Sequence, residues 1–305
     1  MVFVLEKGTV QLNMRLHLVD GTYELFRSHF SRRPSHQGPD GTPLKATVGL
    51  VSSLLALLSD SSERPTHLAV AFDNPIRSFR NELFEGYKTE EGVDPELLAQ
   101  FDVAELATAS LGIVVWSMRE LEADDALASG AARFASEVEQ VRILTPDKDL
   151  GQCLRGTQVV QVDRMRGKVV DETALRALRG IGPESIPDWL ALVGDTADGI
   201  PGLAGFGEKG AAAVLAAFRH LEDIPSDPRA WPDSVRGRDT LARTLAEARE
   251  DALLYRTLAT LRTDAPIDAS LSALEHRGVP REPFELFARQ VDSPGLLSRV
   301  TRWAA

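Results

Sequence analysis

The stretch RLHLVDG at residues 15–21 is a short apolar run that stops on an aspartate and a glycine. A run of this length, bounded by turn residues, predicts a buried strand. Between this run and the next ones, residues 46–58 and 124–134 space their apolar side chains as helices do. The further strand-like runs are 67–72, 112–115 and 141–145. Alternating strands and helices predict an α/β fold, with a parallel sheet covered by helices on both faces.

Acidic residues follow these predicted strands. Five short motifs, LVDG, AFDN, EADD, TPDKD and GDTAD, contain Asp20, Asp73, Glu122, Asp124, Asp125, Asp147, Asp149, Asp195 and Asp198. Taken singly, each acid has an ordinary explanation as a turn residue or a helix cap. Taken together, at least four come after predicted parallel strands. They would converge beyond the carboxyl edge of the sheet, where such folds bind ligands.

A cluster of carboxylates predicts bound cations, because closely spaced acids repel one another unless positive charge lies among them. Oxygen ligands without histidine or cysteine favour Mg²⁺ or Mn²⁺, and none of the six histidines lies beside these acids in the sequence. Two such ions about 3.5–4 Å apart can clamp the attacking and the leaving oxygen of a phosphodiester. The predicted reaction is therefore the hydrolysis of a phosphodiester.

Composition excludes several classes of protein. The 305 residues are 43% hydrophobic and 26% charged, as in a globular protein rather than a disordered one. The single cysteine, Cys153, forms neither an intramolecular disulfide nor a multi-cysteine metal site. The first ten residues carry Glu6 and Lys7 where a secretory signal needs an apolar core, and no run of 18 apolar residues indicates a membrane span. These features predict a cytoplasmic protein without a membrane partner.

The net charge of −11 argues at first against a nucleic-acid partner, since proteins that bind nucleic acid are usually basic. The distribution of the charge changes that conclusion. Without the nine acids of the predicted cluster, 36 acidic residues remain against 34 basic ones. The excess negative charge is concentrated in the predicted metal site, so it does not exclude DNA or RNA.

A glycine-rich turn lies in the more helical C-terminal part of the chain, where helices are predicted at 184–193, 208–218 and 240–258. Residues 199–218 read GIPGLAGFGEKGAAAVLAAF, where Gly202, Gly205 and Gly207 separate two helical segments and Lys209 opens the second. Glycines allow close backbone approach, and the free N–H groups at a helix start attract phosphate. The pattern predicts a helix-hairpin-helix that grips a nucleic-acid backbone, with a purely structural turn as the alternative.

The stretch 74–101 is polar, rich in charge and without a steady period. It contains RSFRNELFEGYK, in which Arg77, Arg80, Tyr87 and Lys88 combine cations with an aromatic ring. One interpretation is an ordinary solvated loop. The other is a mobile lid whose cations neutralise phosphate and whose tyrosine stacks on a base.

The order of these motifs resembles that of a known family. LVDG, AFD, SFR, GYK, EADD, ILTPDKDL and GDTADGIPGLAGFGEKGA occur between residues 14 and 268 as they do in bacterial 5′→3′ exonucleases, a family that includes the N-terminal nuclease domain of DNA polymerase I and the wider flap endonucleases. The resemblance implies a PIN-like nuclease domain at 14–180 with a helical arch at about 74–101, through which a single-stranded 5′ arm passes. It also implies a helix-hairpin-helix DNA-binding region at 181–275, with K⁺ in the hairpin.

Two terminal segments complete this division of the chain. Residues 1–13 are expected to be a flexible extension, with Met14 as an alternative start, and residues 276–305 a helical tail. The resemblance further implies that the nine motif acids hold two divalent ions, one group binding the first ion and the rest the second. Arg80 and Lys88 match the arch cations that contact the region of the scissile phosphate.

Four residues depart from the family pattern. Glu91 stands where the family usually has an arginine, and Ala197 and Gly199 replace a serine and an asparagine. Gly210 replaces a common hydroxyl residue of the hairpin. These departures predict one phosphate contact fewer, a looser second metal site and weaker K⁺ binding.

The resemblance thus implies a free-standing, monomeric 5′ nuclease. Its expected substrates are DNA with 5′ flaps, nicks or single-stranded 5′ ends and RNA-primed ends, with a DNA polymerase acting in trans. A non-catalytic, structure-specific DNA-binding module is one alternative, and the departures support it. A PIN-group ribonuclease is the other, and the glycine-rich hairpin disfavours it. The balance of exonuclease and flap endonuclease activity is not fixed by the sequence.

Overall fold

The computed structural model describes residues 14–267 and 270–305, so the extension expected at 1–13 lies outside the described residues. Within these ranges a six-stranded sheet forms the centre of the N-terminal part. Its strands are β1 (Arg15–Asp20), β2 (His67–Asp73), β3 (Val114–Met118), β4 (Gln140–Leu144), β5 (Val159–Asp163) and β6 (Lys168–Val170). They lie in the order β3-β2-β1-β4-β5-β6, the first five parallel and β6 antiparallel to β5. The expected parallel α/β fold is confirmed.

Two details of the sheet differ from the sequence prediction. The third strand begins at Val114 rather than at 112, because Gly112 takes a left-handed conformation with φ of 73° and still belongs to the preceding turn. Strands β5 and β6 form a hairpin that lies outside the predicted strands. The three residues of β6 include two exposed ones, so this short edge strand lacks a clear apolar pattern.

Helices cover both faces of the sheet. The helices are α1 (Gly21–His29), α2 (Lys45–Ser59), α3 (Arg80–Leu83), α4 (Pro95–Leu98), α5 (Phe101–Ser110), α6 (Ala123–Phe134), α7 (Glu172–Arg179), α8 (Ile186–Val193), α9 (Glu208–Phe218), α10 (Arg238–Glu247), α11 (Arg249–Ala259) and α12 (Arg281–Gln290). One apolar core joins the sheet to α1, α2, α5 and α12, and α6 covers the other face. None of the helices in the described ranges is both long and apolar enough to cross a bilayer.

The helical region has its own core around Trp189, which is 2% exposed. Helices α8 and α9 are joined by the glycine-rich turn and match the expected segments, with α9 at its expected bounds. A single third helix was expected at 240–258. The structure divides it into α10 and α11, because Ala248 leaves the helical conformation with φ of −112° and ψ of 29°.

The C-terminal tail returns to the sheet. The backbone N–H of His276 donates to the carbonyl of Thr66 at 2.9 Å, just before β2. Helix α12 then buries Phe284 and Phe287 in the same core as α2 and α5. Residues after 276 therefore pack as part of the N-terminal structural unit rather than as a separate appendage.

The segment 74–101 contains two helices of only four residues, α3 and α4, in place of the long helices that an arch implies. Its middle lies against the loop before the hairpin. The backbone N–H of Lys88 donates to the carbonyl of Asp198 at 3.0 Å. A Cβ added to Gly199 would lie 2.1 Å from the carbonyl oxygen of Gly86, so a glycine is required for this close approach.

Candidate active site

The carboxyl edge of the sheet gathers acids from four elements. Asp20 ends β1, Asp73 ends β2, Asp147 follows β4, and Asp124 lies in the first turn of α6. Two of these acids also organise the backbone around them. Asp20 accepts the N–H of Tyr23 at 2.8 Å and caps α1, while Asp73 accepts the N–H of residue 123 at 2.6 Å and so holds the start of α6 against β2. Asp20 therefore caps a helix and also lies in the group of acids at the edge of the sheet.

Because these acids lie close together and are buried, their pKa values are raised. Burial, together with the charges of Asp73 and Asp147, raises the pKa of Asp20 to about 7. Burial and the charge of Glu122 raise the pKa of Asp73 to about 6, although Lys88 opposes the shift. Burial and the charges of Asp147 and Asp20 also raise the pKa of Asp124 well above its ordinary value. The cluster is short of positive charge, as expected of groups arranged to hold a cation.

A second group of acids lies beside the first. Asp149, Asp195 and Asp198 offer carboxylate oxygens that all lie within 4.8 Å of one another. One buried oxygen of Asp149, Oδ1, has no hydrogen-bond partner among the described residues. Burial and the charges of Asp147 and Asp198 raise the pKa of Asp149 well above its usual range. An unpartnered buried carboxylate oxygen is costly without a cation, so these three residues fit a hard divalent ion bound through oxygen.

Lys88 lies between the two groups of acids. Its ammonium is 3.0 Å from Glu122 Oε2 and 2.9 Å from Asp198 Oδ1, and the side chain is 23% exposed. Burial lowers the pKa of Lys88, but the charges of Glu122 and Asp198 outweigh burial and hold that pKa well above its ordinary value. The side chain remains an ammonium ion, and it provides a fixed positive charge in the centre of the site.

Lys148 supplies a second cation, which is not among the residues predicted for the site. Its ammonium lies 2.9 Å from Asp195 Oδ2. The signal was present in the sequence, because Lys148 stands between Asp147 and Asp149 in the TPDKD motif. Thr145 was also missed: its hydroxyl donates to Asp20 at 2.9 Å and fixes the orientation of that carboxylate.

Arg80 has a different position from the one its predicted role requires. A phosphate contact needs an exposed guanidinium, whereas Arg80 is 1% exposed. Two of its nitrogens donate to the carboxylate of Asp125, each at 2.8 Å, and Nε donates to the carbonyl of Leu258 at 2.7 Å. A further donor reaches the carbonyl of Thr260 at 3.1 Å. Arg80 therefore ties the base of segment 74–101 to α6 and to the end of α11, and it does not face a substrate.

Asp125 is likewise taken up by structural contacts. Besides Arg80, it accepts the backbone N–H of Glu122 at 3.0 Å and that of Arg262 at 2.8 Å. Its carboxylate is 0% exposed. Because these donors occupy its carboxylate oxygens, Asp125 does not fit a metal ligand. The expected set of ligands is corrected at this residue.

Glu122 and Tyr87 also differ from expectation. The carboxylate of Glu122 accepts the hydroxyl of Ser78 at 2.5 Å and that of Tyr87 at 3.2 Å, in addition to Lys88. Tyr87 is 4% exposed and packs in the core of the helical region. A ring buried in this way cannot stack on a base, so the structure assigns Tyr87 to the support of Glu122. Glu122 in turn orients Lys88.

The remaining predicted contacts stay accessible. Arg77 and Lys209 are exposed, and Gly207 caps the start of α9. Gly202 and Gly205 have φ values of 71° and 86°, which favour glycine and shape the hairpin. Helix, glycine-rich turn and helix therefore follow one another as the sequence predicted.

The fold and the site together define a class of protein. A parallel sheet whose carboxyl edge holds two adjoining groups of acids, followed by a helical hairpin, is the architecture of PIN-like nucleases. Residues 15–178 match the resolvase-like N-terminal domain of 5′-3′ exonucleases, and residues 181–282 match the C-terminal SAM fold of the same enzymes. The chain belongs to the 5′-3′ exonuclease family, and the resemblance seen in the motifs is confirmed.

Individual relatives agree with this assignment. DNA polymerase I of Bacillus caldotenax is 33% identical over 298 residues, which are 93% of this chain and 33% of the polymerase, so the chain spans about a third of that relative's length. The 5′-3′ exonuclease of Aquifex aeolicus is 33% identical over 210 residues, 68% of this chain and 71% of the relative.

Two solved structures share the fold. T5 5′-exonuclease with bound zinc has a TM-score of 0.62 at 20% identity, covering 91% of this chain and 98% of the T5 chain. The catalytic core of Rad2 in complex with DNA has a TM-score of 0.61 at 14% identity, covering 94% and 91% of the two chains. At these identities the likeness concerns the fold.

Proposed function

We propose that this protein is a divalent-metal-dependent 5′ nuclease that hydrolyses phosphodiesters of DNA with a 5′ flap, a nick or a single-stranded 5′ end, including RNA-primed ends. The observation that carries the proposal is the pair of acid groups with Lys88 between them. The bound zinc of the T5 enzyme and the DNA substrate of the Rad2 core support the proposal for this chain.

The acids divide between two ion positions. Asp20, Asp73, Asp124 and Asp147 surround the first, and Asp149, Asp195 and Asp198 would hold the second. Mg²⁺ is the proposed ion, with Mn²⁺ as a substitute, because every donor is a carboxylate oxygen. When bound, the ions supply an activated water and positive charge at the scissile phosphate.

The protein's own cations position the phosphate. The Lys88 ammonium is fixed by Glu122 and Asp198, so it can donate to a phosphate oxygen brought between the two acid groups. Arg77 and Lys209 are exposed and are proposed to contact the backbone on either side of that phosphate. A histidine or lysine base is not required for this chemistry.

The test is a cleavage assay of the purified protein with Mg²⁺ on end-labelled substrates: 5′-flap duplex, nicked duplex, blunt duplex and single-stranded RNA. Release of products from the flap duplex by the wild type, and none by the variant D147A/D149A, is the expected result. Flap binding without product at any Mg²⁺ or Mn²⁺ concentration would instead indicate a non-catalytic DNA-binding module. Preferential cleavage of single-stranded RNA would indicate a PIN-group ribonuclease.

Four further points complete the proposal: K⁺ in the hairpin, a monomeric state, a cytoplasmic location and a DNA polymerase acting in trans. K⁺ is proposed at the glycine-rich turn, in which Gly202 and Gly205 have φ values of 71° and 86°. Replacement of K⁺ by Na⁺ should weaken duplex binding, and sedimentation of the free protein should give a mass near 33.3 kDa.

A further inference from the structure

A cavity lined by arginines lies between helices α1 and α2 and the β5–β6 hairpin. Its volume is about 440 Å³, within the range of small-ligand sites, which is roughly 300–1,000 Å³. None of the nine motif acids belongs to its lining, so the cavity is separate from the candidate active site. Its cations are Arg27, Arg33, Arg164 and Arg299, and its acids are Glu24, Asp60 and Glu63.

Three of these arginines converge on two consecutive serines of α2. Nη2 of Arg27 and Nη1 of Arg164 both donate to the hydroxyl oxygen of Ser53, at 3.2 and 3.0 Å. Arg299 donates to the backbone carbonyl of Ser52 at 2.9 Å. Guanidinium groups gathered at one place repel one another unless negative charge lies among them. The convergence therefore indicates a site for an anion beside the middle of α2.

The acids of the cavity do not balance its cations. Glu24 is paired with Arg27, and Glu63 is paired with Arg142, which is not part of the lining. Asp60 remains against the other three arginines, none of which forms an ion pair with a carboxylate of the described structure. Two positive charges are therefore uncompensated. One buried nitrogen of Arg27, Nε, also has no hydrogen-bond partner among the described residues.

The charge and the remaining lining define the class of anion. A phosphate monoester carries about 1.5–2 negative charges at pH 7, which matches the uncompensated charge, and guanidinium groups bind phosphate oxygens in pairs. Cations that converge on one point suit a single terminal phosphate rather than the row of phosphates along a strand. The lining also has apolar side chains, of which Met165 is 63% exposed and Val169 48%. They provide contact area for a base, so the whole cavity suits a nucleoside monophosphate.

We infer that this cavity, the α1–α2 arginine pocket, binds a free nucleoside monophosphate, with its phosphate held by Arg164 and Arg299 and its base against Met165 and Val169. Arg27, already paired with Glu24, adds the third guanidinium of the phosphate site. The inference goes beyond the proposed function, because this binding requires neither divalent ions nor cleavage. The proposed nuclease would itself release ligands of this class from a 5′ end.

The pocket is tested by isothermal titration calorimetry of the full chain with 2′-deoxyadenosine 5′-monophosphate at pH 8 in EDTA. EDTA removes divalent ions, so the acid cluster repels phosphate and adds no second site. The wild type should bind one nucleotide per chain. In R164Q/R299Q the dissociation constant should rise at least about tenfold, because charge-assisted hydrogen bonds are lost. Inorganic phosphate should bind more weakly than the nucleotide, and 2′-deoxyadenosine, which lacks the phosphate, should not bind.

Two further variants make the outcome decisive. R236Q/R277Q is the matched control, because it removes the same charge from two exposed arginines outside the lining; its dissociation constant should equal that of the wild type. R33Q serves if the double variant R164Q/R299Q does not fold. Arg33 is exposed, and within the described structure only its backbone is hydrogen-bonded. R33Q should therefore fold and weaken nucleotide binding about threefold, as for one exposed charge contact.

Three results would overturn the inference, whether or not the protein cleaves flaps. They are no binding of the nucleotide by the wild type at millimolar concentration, an unchanged dissociation constant in both pocket variants, and equal affinity for inorganic phosphate and the nucleotide. Failure of the wild type to cleave DNA would overturn the proposed function instead, and the binding result would stand.

Discussion

The ammonium of Lys88 lies 2.9 Å from Asp198 Oδ1, although the two residues belong to different parts of the molecule. Lys88 comes from the segment between β2 and α5, and Asp198 from the loop before the hairpin. A backbone hydrogen bond of 3.0 Å joins the same two residues. This double contact closes the segment over the acids and places one cation between the two proposed ion positions.

Removal of the Lys88 charge should reduce cleavage far more than binding. In K88Q the phosphate loses a fixed donor, and we expect single-turnover cleavage of a 5′-flap duplex to fall by about 10²–10³-fold, as for loss of one preorganised charged donor. The flap dissociation constant in Ca²⁺ should change by less than about tenfold. The control is K45Q, because Lys45 bonds only the carbonyl of Ser31 in the described structure, away from the acids. Equal cleavage rates for K88Q and wild type would contradict the assigned role.

Asp149 should determine the binding of one metal ion. Its Oδ1 has no partner in the described structure, so D149N should lower the number of Mn²⁺ ions bound, as counted by calorimetry or electron paramagnetic resonance without DNA. D188N is the matched control: Asp188 is 2% exposed and Asp149 4%, but Asp188 pairs with His220 and Arg256 outside the site. D188N should lose stability and keep the wild-type ion count. A wild-type count in D149N would show that Asp149 is not a ligand.

Loss of the Arg80 guanidinium should destabilise the protein. R80M leaves the carboxylate of Asp125 buried and without its ion-pair partner, which typically costs about 3–5 kcal/mol in the free energy of unfolding. Urea denaturation measures the loss. The double variant R80M/D125L removes both charges, and it should recover a large part of that stability. If Arg80 instead contacted phosphate, R80M would unfold like the wild type and show only weaker DNA binding.

Gly199 and Gly210 should respond to alanine in opposite directions. At residue 199 a Cβ would lie 2.1 Å from the Gly86 carbonyl, and φ is 76°, so G199A should push the segment off the site and slow cleavage. It should also increase proteolysis between residues 84 and 91. Gly210 lies inside α9. A Cβ added there would have Leu241 Cδ1 as its nearest neighbour, at 3.9 Å. The variant G210A should gain about 0.5–1 kcal/mol of stability, measured by urea denaturation. Equal proteolysis of the two variants would argue against a docked segment.

Acid should destabilise the end of the molecule opposite the site. His17 and Arg142 hold the pKa of Glu63 at about 2, below its usual 4.5, despite partial burial. A depressed pKa contributes stability above the unfolded-state value, and the contribution disappears as pH falls from about 4.5 towards 2. For this partly exposed group the effect should be on the order of 1–2 kcal/mol. The variant E63Q should lack this part of the pH dependence, as measured by urea denaturation between pH 6 and pH 2.5. An E63Q curve parallel to the wild type would contradict the assignment.

Much of the fold was available from local sequence. The runs around Leu18, Val70 and Ile143 are buried on both faces, so their near-continuous apolar pattern identified parallel strands. The bounds of α9 followed from the glycine at 207 and the apolar spacing after it. Strand β6 escaped detection because a three-residue edge strand with two exposed residues carries almost no pattern. Strand β5 does carry an apolar run, VVQV, and four of its five residues are buried, so its signal was present in the sequence.

The sequence was enough to predict an acidic site at the edge of the sheet, but not to say which of its acids can bind a metal. Position after a strand sufficed to locate Asp20, Asp73 and Asp147, because parallel strands end at one edge. Position after a strand does not tell an acid with a free carboxylate oxygen from one whose oxygens already accept hydrogen bonds. Asp149 is of the first kind in the described structure, and Asp125 is of the second. That distinction depends on Arg80 and on the backbone of residue 262, which is 137 residues from Asp125 in sequence.

The sequence by itself determined the parallel sheet, the acidic character of its carboxyl edge and the glycine-rich hairpin, because these follow from residue type and local spacing. Only the tertiary structure decided that Arg80 and Tyr87 are buried supports and that Lys88 lies between two groups of acids. The physical reason is that burial and charge pairing join residues far apart in the chain, and local pattern carries no information about which distant partner each side chain meets.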